Sequence, residues 1–168
     1  MTLPAALTVA RLTAIPDVVE RARRLAEAAH RDQPDKAGED YYTGHLTDVW
    51  TRARDYGADD DDQAAAFLHD VVEDTEVTGE DLWECGFSDR TVLTVHLMTK
   101  RKGEADGVYY ARLRAYEPAR RLKLDADVAS NNDPTRKARL DPETQTRLTK
   151  KYAKAAAALA APYPGSSQ

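Results

Sequence analysis

The hydrophobic positions recur with helical spacing along almost the whole chain. From Pro16 to His30, Val18, Val19, Ala22, Leu25, Ala26 and Ala29 fall at three- and four-residue steps and draw one apolar stripe. Pro16 suits the first helical position, and Asp17 and Glu20 suit the positive end of the helix dipole. Residues 33–44 contain Pro34, Gly38, Gly44 and two tyrosines, and predict a loop. A second helix is expected from near His45 to Gly57, whose freedom to adopt the left-handed conformation terminates helices. Asp59 to Asp62 then lead into a segment running to Asp74, and these four acids are read as capping its helix and favouring the dipole. Thr78 with Asp81 predicts a capping box for a short helix closed by Gly86, and Ser88 caps another through Lys100. A turn over 103–107 precedes helices expected over 108–116, 118–131 and 142–159. Alternating runs never exceed about four residues, and there is no internal repeat. The expected fold is all-α, a single-domain bundle of about seven or eight helices. An N-terminal segment over 1–16, a helical domain over 17–160 and a flexible tail over 161–168 complete the expected organisation.

Composition narrows the class. The 168 residues carry 24 Lys+Arg against 29 Asp+Glu, a net charge of −5. With a pI near 5.4, neither a nucleic acid nor an anionic membrane is an expected partner. A phosphorylated small molecule stays open, because a few local cations or a metal suffice to hold one. The single cysteine, Cys85, allows no internal disulfide and no cysteine-built zinc site. Met1-Thr2-Leu3-Pro4 lacks a basic segment followed by an apolar run, and no stretch approaches the roughly 20 apolar residues that span a bilayer. A cytoplasmic protein is expected.

The candidate chemistry lies in Phe67-Leu68-His69-Asp70-Val71-Val72-Glu73-Asp74-Thr75. If this segment is one helix, His69 and Glu73 are four apart, as are Asp70 and Asp74, and all four project from one side. Ala65, Leu68, Val71 and Val72 then face a core. Acids packed this closely repel one another and are pushed towards protonation unless a cation sits among them. An adjacent His-Asp pair offers one nitrogen and one oxygen ligand, suited to Mn²⁺, Fe²⁺, Co²⁺ or Zn²⁺. His45 on the preceding helix, and Asp127 with Asn131 one turn beyond it, are the residues that can complete a site of two histidines and two aspartates.

The order His, His-Asp and a distant Asp resembles the HD superfamily of metal-dependent phosphohydrolases. The flanking residues narrow the resemblance to the RelA/SpoT-type hydrolase domain. Ala29-His30, Gln33, Lys36, Gly38, Tyr41 and His45 are similar to its first motif, and His69-Asp-Val-Val-Glu-Asp-Thr75 matches its His-Asp-(any)-(any)-Glu-Asp-Thr motif in full. Thr99-Lys100 and Leu124-Asp-Ala-Asp127…Asn131 resemble two later segments, so the likeness covers residues 18 to 135. The resemblance implies an HD-type bundle, a stand-alone small alarmone hydrolase, and His45, His69, Asp70 and Asp127 as ligands of a divalent metal, usually Mn²⁺. It implies that Glu73 and Asp74 position and deprotonate the attacking water. It gives Lys36 a place over the guanine base, where Arg is commoner, and Asn131 a place near the nucleotide sugar and phosphates. Lys100, Tyr110 and Arg114 are further substrate-binding candidates. The implied reaction is hydrolysis of the 3′-pyrophosphate of (p)ppGpp to GDP or GTP and pyrophosphate; another nucleotide substrate, or a non-catalytic nucleotide-binding domain, is the alternative. A partner alarmone synthetase would fit an antitoxin role.

The chain departs from the family pattern at three places. Leu124 stands where a Lys precedes the metal Asp, which makes Asp125 a rival to Asp127; only Asp127 keeps the four-residue spacing to an Asn. Ser130 stands where small members often carry a second Asp, and Lys36 lacks a planar guanidinium for stacking. His30 is read as a structural hydrogen-bonding residue, Arg120, Arg121 and Lys123 as solvated helix charge or a phosphate contact, and Trp50, Trp83, Phe87 and Cys85 as core. The late Ala-rich helix is expected to pack on the bundle or to serve a homo-oligomer contact.

Overall fold

A computed structural model describes residues 3, 4 and 7–161. Helices follow one another from end to end, and among the described residues the one extended pairing is a single bridge between Pro34 and Asp40. A short helix, α1 (Val9–Thr13), occurs within the expected N-terminal segment and seats Leu12 in the core. Next comes α2 (Val18–Ala29), capped by Asp17, whose carboxylate accepts from the amides of Val19 and Glu20. Its apolar stripe buries Ala22, Leu25 and Ala26 against α4 (Asp60–Leu68), which answers with Ala64, Ala65 and Ala66. Small residues on both faces let the two helices approach closely, while each fully buried leucine adds about 1.5–3 kcal/mol.

Two segments depart from the even helical period. The expected loop over 33–44 is helical from Tyr41 onwards, where a π-helical turn (Tyr42–Leu46) runs into α3 (Thr47–Asp55) and buries His45 and Leu46. The segment expected as one helix to Asp74 breaks at His69-Asp70: α4 ends at Leu68 and a separate turn, α5 (Val71–Asp74), begins beyond Asp70. The break turns His69 into the helix terminus, where its Nδ1 reaches the Ala66 carbonyl at 2.8 Å.

The Thr78–Asp81 capping box opens α6 (Gly79–Glu84), and Gly86 follows with φ +79°. Ser88 caps α7 (Asp89–Met98), and α8 (Asp106–Arg114) begins inside the expected turn. A continuous helical stretch then joins α9 (Glu117–Arg121), a second π-helical turn (Leu122–Val128) and α10 (Ala129–Asn131). After α11 (Pro134–Lys137), the long α12 (Pro142–Ala160) returns across the bundle and buries Leu148, Tyr152, Ala155 and Leu159. The aspartate run caps α4 through Asp59, and Asp59 and Asp62 also hold Arg90 at 2.7 and 2.9 Å. Cys85 and Phe87 are core, and Trp50 stacks on Phe67. Trp83 is not core: it is 52% exposed, because α6 is short and turns only Asp81 and Leu82 inward. No helix among the described residues is long and apolar enough to cross a membrane. Most of the expected tail, residues 162–168, lies outside the described residues.

Candidate metal centre and cleft

Four segments deliver side chains to one point. The first π-helical turn brings His45, the break after α4 brings His69 and Asp70, and the second π-helical turn brings Asp127. One ligand atom from each of His45, His69 and Asp70 lies within 4.8 Å of the other two. Asp127 Oδ1 stands 3.3 Å from His45 Nε2 and 3.8 Å from His69 Nε2. Asp70 Oδ2 is 3.0 Å from His69 Nε2 and 3.6 Å from His45 Nε2. Both histidines and Asp127 are buried.

This donor set fits a divalent cation. His69 Nδ1 faces a backbone carbonyl, an acceptor only, so Nδ1 carries a proton and Nε2 is the nitrogen that can offer a lone pair to a cation. In metal-free protein burial would lower the ring's pKa, but the neighbouring Asp70 raises it to about 9. That buried Nε2 has no hydrogen-bond partner, although a carboxylate oxygen lies within contact distance. Two imidazoles and two carboxylates meeting in one place offer the mixed nitrogen and oxygen ligands that several divalent cations take. Asp125 offers nothing comparable: its carboxylate is 47% exposed and faces Arg121 at 3.8 Å.

Charge is balanced by neighbours as well. Lys123 Nζ lies 2.5 Å from Asp127 Oδ2. Burial by itself would raise the pKa of Asp127, but Lys123 and the two histidines outweigh it and hold the carboxyl well below its ordinary range. Burial would likewise lower Lys123, and Asp127 reverses the sign. The Tyr41 hydroxyl donates to Asp70 Oδ2 at 2.5 Å, while Asn131 Nδ2 donates to Asp127 Oδ1 at 2.6 Å.

Above the centre opens a cleft of about 500 Å³. His45, Asp70 and Asp127 lie at its base, and Glu73, Asp74, Lys36, Lys100, Tyr110 and Asn131 line it. Glu73 Oε2 accepts from the Lys100 backbone amide at 2.8 Å, which ties α5 to the end of α7. Burial, Asp70 and Glu73 push the Asp74 carboxyl above its usual pKa. Lys36 approaches the Tyr152 hydroxyl at 3.4 Å, and burial and Lys151 lower its pKa. Asp106 holds Lys100 at 2.6 Å and Lys154 at 2.9 Å.

No family model matches the chain. The GTP pyrophosphokinase of Streptomyces coelicolor is 37% identical over 116 residues, which is 69% of this chain and 12% of that protein. The guanosine-3′,5′-bis(diphosphate) 3′-pyrophosphohydrolase of Aquifex aeolicus is 35% identical over 82 residues, 49% of this chain and 12% of that protein. A probable enzyme of the same name from Synechocystis is 41% identical over 80 residues, 48% of this chain and 10% of its own length. Over these stretches the chain resembles proteins of the RelA/SpoT type. It spans only 10 to 12% of the length of these curated relatives. The chain also shares its fold with a metazoan ortholog of SpoT that hydrolyzes ppGpp and plays a role in starvation responses. The TM-score is 0.71 at 22% identity, covering 89% of each chain.

One expected substrate contact is placed elsewhere in the fold. Arg114 does not line the cleft; its Nη1 donates to the Ala158 carbonyl at 2.6 Å, fastening α8 to α12. Lys123, read from sequence as solvated helix charge or a phosphate contact, is not solvated helix charge: it is the largely buried partner of Asp127 and also lines the cleft. Its spacing of four residues before an aspartate is the signal that could have found it. Tyr41 lay inside a quoted motif, but its bond to Asp70 spans 29 residues and leaves no local trace. Lys151, Tyr152 and Lys154 join the cleft because α12 folds back over it, which no spacing rule foretells. His30 is buried and hydrogen-bonded through Nδ1 to Gln33 at 2.8 Å, a structural arrangement.

Proposed function

We propose that this cleft hydrolyses the 3′-pyrophosphate of guanosine alarmones, (p)ppGpp, releasing GDP or GTP and pyrophosphate. The observation that carries the reading is the meeting of His45, His69, Asp70 and Asp127 at the base of a cleft whose wall holds Glu73, Asp74 and a set of lysines. Relatives named for this reaction, matched over about half of the chain, support this substrate class.

His45, His69, Asp70 and Asp127 would hold the metal, with Mn²⁺ the ion we favour. A divalent ion there supplies Lewis acidity towards a phosphoryl oxygen and a lowered pKa for water. Glu73 and Asp74 line the same cleft as Asp70 and act as the base that takes the proton of the attacking water. Burial, Asp70 and Glu73 push the Asp74 carboxyl above its usual pKa, which favours its taking up a proton. The backbone bond from Lys100 keeps Glu73 from swinging out of place. Lys36, Lys100, Lys151 and Lys154 oppose the phosphate charges, so the chain's overall acidity is no barrier to a polyanion. Asn131 orients Asp127 and borders the space for the nucleotide.

The test is turnover by purified Mn²⁺-loaded protein across a panel of ppGpp, pppGpp, adenine alarmones, NADPH and nucleoside monophosphates. Hydrolysis confined to the guanosine 3′-pyrophosphates, lost in EDTA and lost in Glu73→Gln with metal retained, is the expected result. Preferential hydrolysis of another nucleotide overturns the substrate assignment. Binding without turnover in the wild type overturns the enzymatic one.

A further inference from the structure

Ser130 and Arg136 take no part in the steps above, yet both touch His45. Ser130 is fully buried on α10, and its Oγ lies 3.2 Å from His45 Nδ1. The same Oγ accepts from Arg136 Nη1 at 2.7 Å, and that Nη1 stands 3.0 Å from His45 Nδ1. Arg136 Nη2 pairs with Asp35 Oδ2 at 2.9 Å, and the Asp35 side chain is 5% exposed. Amides of Ala37 and Glu39 donate to the other oxygen of Asp35, which fixes the guanidinium from behind.

The two histidines of the centre are therefore set differently. His69 Nδ1 faces a carbonyl, which can only accept, so its proton stays on Nδ1. His45 Nδ1 faces a hydroxyl and a guanidinium together. A guanidinium can only donate. If Arg136 held Nδ1 alone, Nδ1 would have to accept, the ring proton would sit on Nε2, and Nε2 would have no lone pair for a cation. The serine oxygen provides the other arrangement. It accepts one N–H from Arg136 and can accept a second from His45 Nδ1, an arrangement that would leave the Nε2 lone pair facing Asp70 and Asp127.

We infer that Ser130 is a positioning residue that holds His45 in its metal-competent tautomer by absorbing the N–H of Arg136 that would otherwise impose the wrong one. The inference rests on the metal-binding reading proposed above. Partners of ligating histidines commonly affect metal affinity by about 10- to 100-fold, and that scale sets the expected effect.

Mn²⁺ affinity, measured by equilibrium dialysis and by electron paramagnetic resonance of free Mn²⁺, is the readout. Ser130→Ala leaves Arg136 unopposed and should weaken Mn²⁺ binding by at least about tenfold. Arg136→Met in the wild-type background removes the competing donor and should leave affinity equal or tighter. The double variant should bind more tightly than Ser130→Ala alone. Thermal melts in EDTA separate folding defects from metal effects, and long-range ¹H–¹⁵N spectra of the Zn²⁺-loaded wild type should show His45 protonated on Nδ1. Ser130→Ala binding within twofold of wild type overturns the inference, as does weakened binding by Arg136→Met. A loss in Ser130→Ala that the second substitution does not relieve overturns it too, because packing would then be the cause. Wild-type protein that binds no Mn²⁺ would instead bring down the proposed function itself.

Discussion

Replacing Lys123 with methionine keeps the length of the side chain and removes its charge, which isolates one contribution to the centre. Lys123 is 18% exposed and Asp127 5% exposed, with 2.5 Å between Nζ and Oδ2. Removing one partner of a buried pair costs about 3–5 kcal/mol, because the remaining charge stays buried without compensation. Here the low end applies. Asp127 Oδ1 keeps the amide of Asn131 at 2.6 Å, so the carboxylate is not abandoned. A loss of about 3 kcal/mol in metal-free protein corresponds to a fall in Tm of roughly 6–12 °C for a chain of this size. A bound divalent cation would supply part of the missing positive charge. The loss should therefore be smaller in saturating Mn²⁺ than in EDTA by at least about 1 kcal/mol, and linkage then requires Mn²⁺ to bind the variant about fivefold more tightly. Urea unfolding of wild type and Lys123→Met, with EDTA and with excess Mn²⁺, supplies all four stabilities. A cost below about 1 kcal/mol in EDTA, or one identical in both conditions, refutes the reasoning.

Tyr41→Phe removes the hydroxyl that donates to Asp70 and should cost about 1.5–3 kcal/mol in metal-free protein, the range for a hydrogen bond to a charged group. A change under half of that in urea melts would show that Asp70 finds another donor. Gly86 has φ +79°, and an added Cβ would lie 3.0 Å from Arg21 Nη1, which itself donates to the Gly86 carbonyl at 2.7 Å. Gly86→Ala should lower stability by about 1–2 kcal/mol, read by thermal melts, and a neutral result would contradict the strained backbone. Glu104 is held below its ordinary pKa, chiefly by the Arg112 guanidinium, whose nitrogens lie 2.8 and 3.1 Å from its carboxylate oxygens. A depressed carboxyl stabilises above its unfolded pKa, near about 4.3, and loses that contribution as pH falls through the lower folded value. The stability gap between wild type and Glu104→Gln should thus be full at neutral pH and shrink in acid, whereas a gap independent of pH would refute the ion pair's role.

Much of this protein can be read from local pattern. The stripe of α2, the capping box before α6 and the left-handed glycine after it are properties of a few neighbouring residues, so sequence alone determines them. The His69-Asp70 pair and the acids that follow it were legible for the same reason: a histidine beside acids at fixed spacings is chemistry written in one segment. What the tertiary structure decided is how they converge. His45 and Asp127 sit on π-helical turns, where an extra residue per turn rotates the side chains away from the phase that a 3.6-residue period assigns. His69 and Asp70 lie at a break that the helical pattern reads straight through. Lys123 changed from surface charge to buried counter-ion because the bundle closes over it, and Arg114 became a strut because α12 returns to its side of the molecule. Ser130 and Arg136 reach His45 across 85 and 91 residues. Local spacing carries no information about such contacts, because they exist only once the helices have packed.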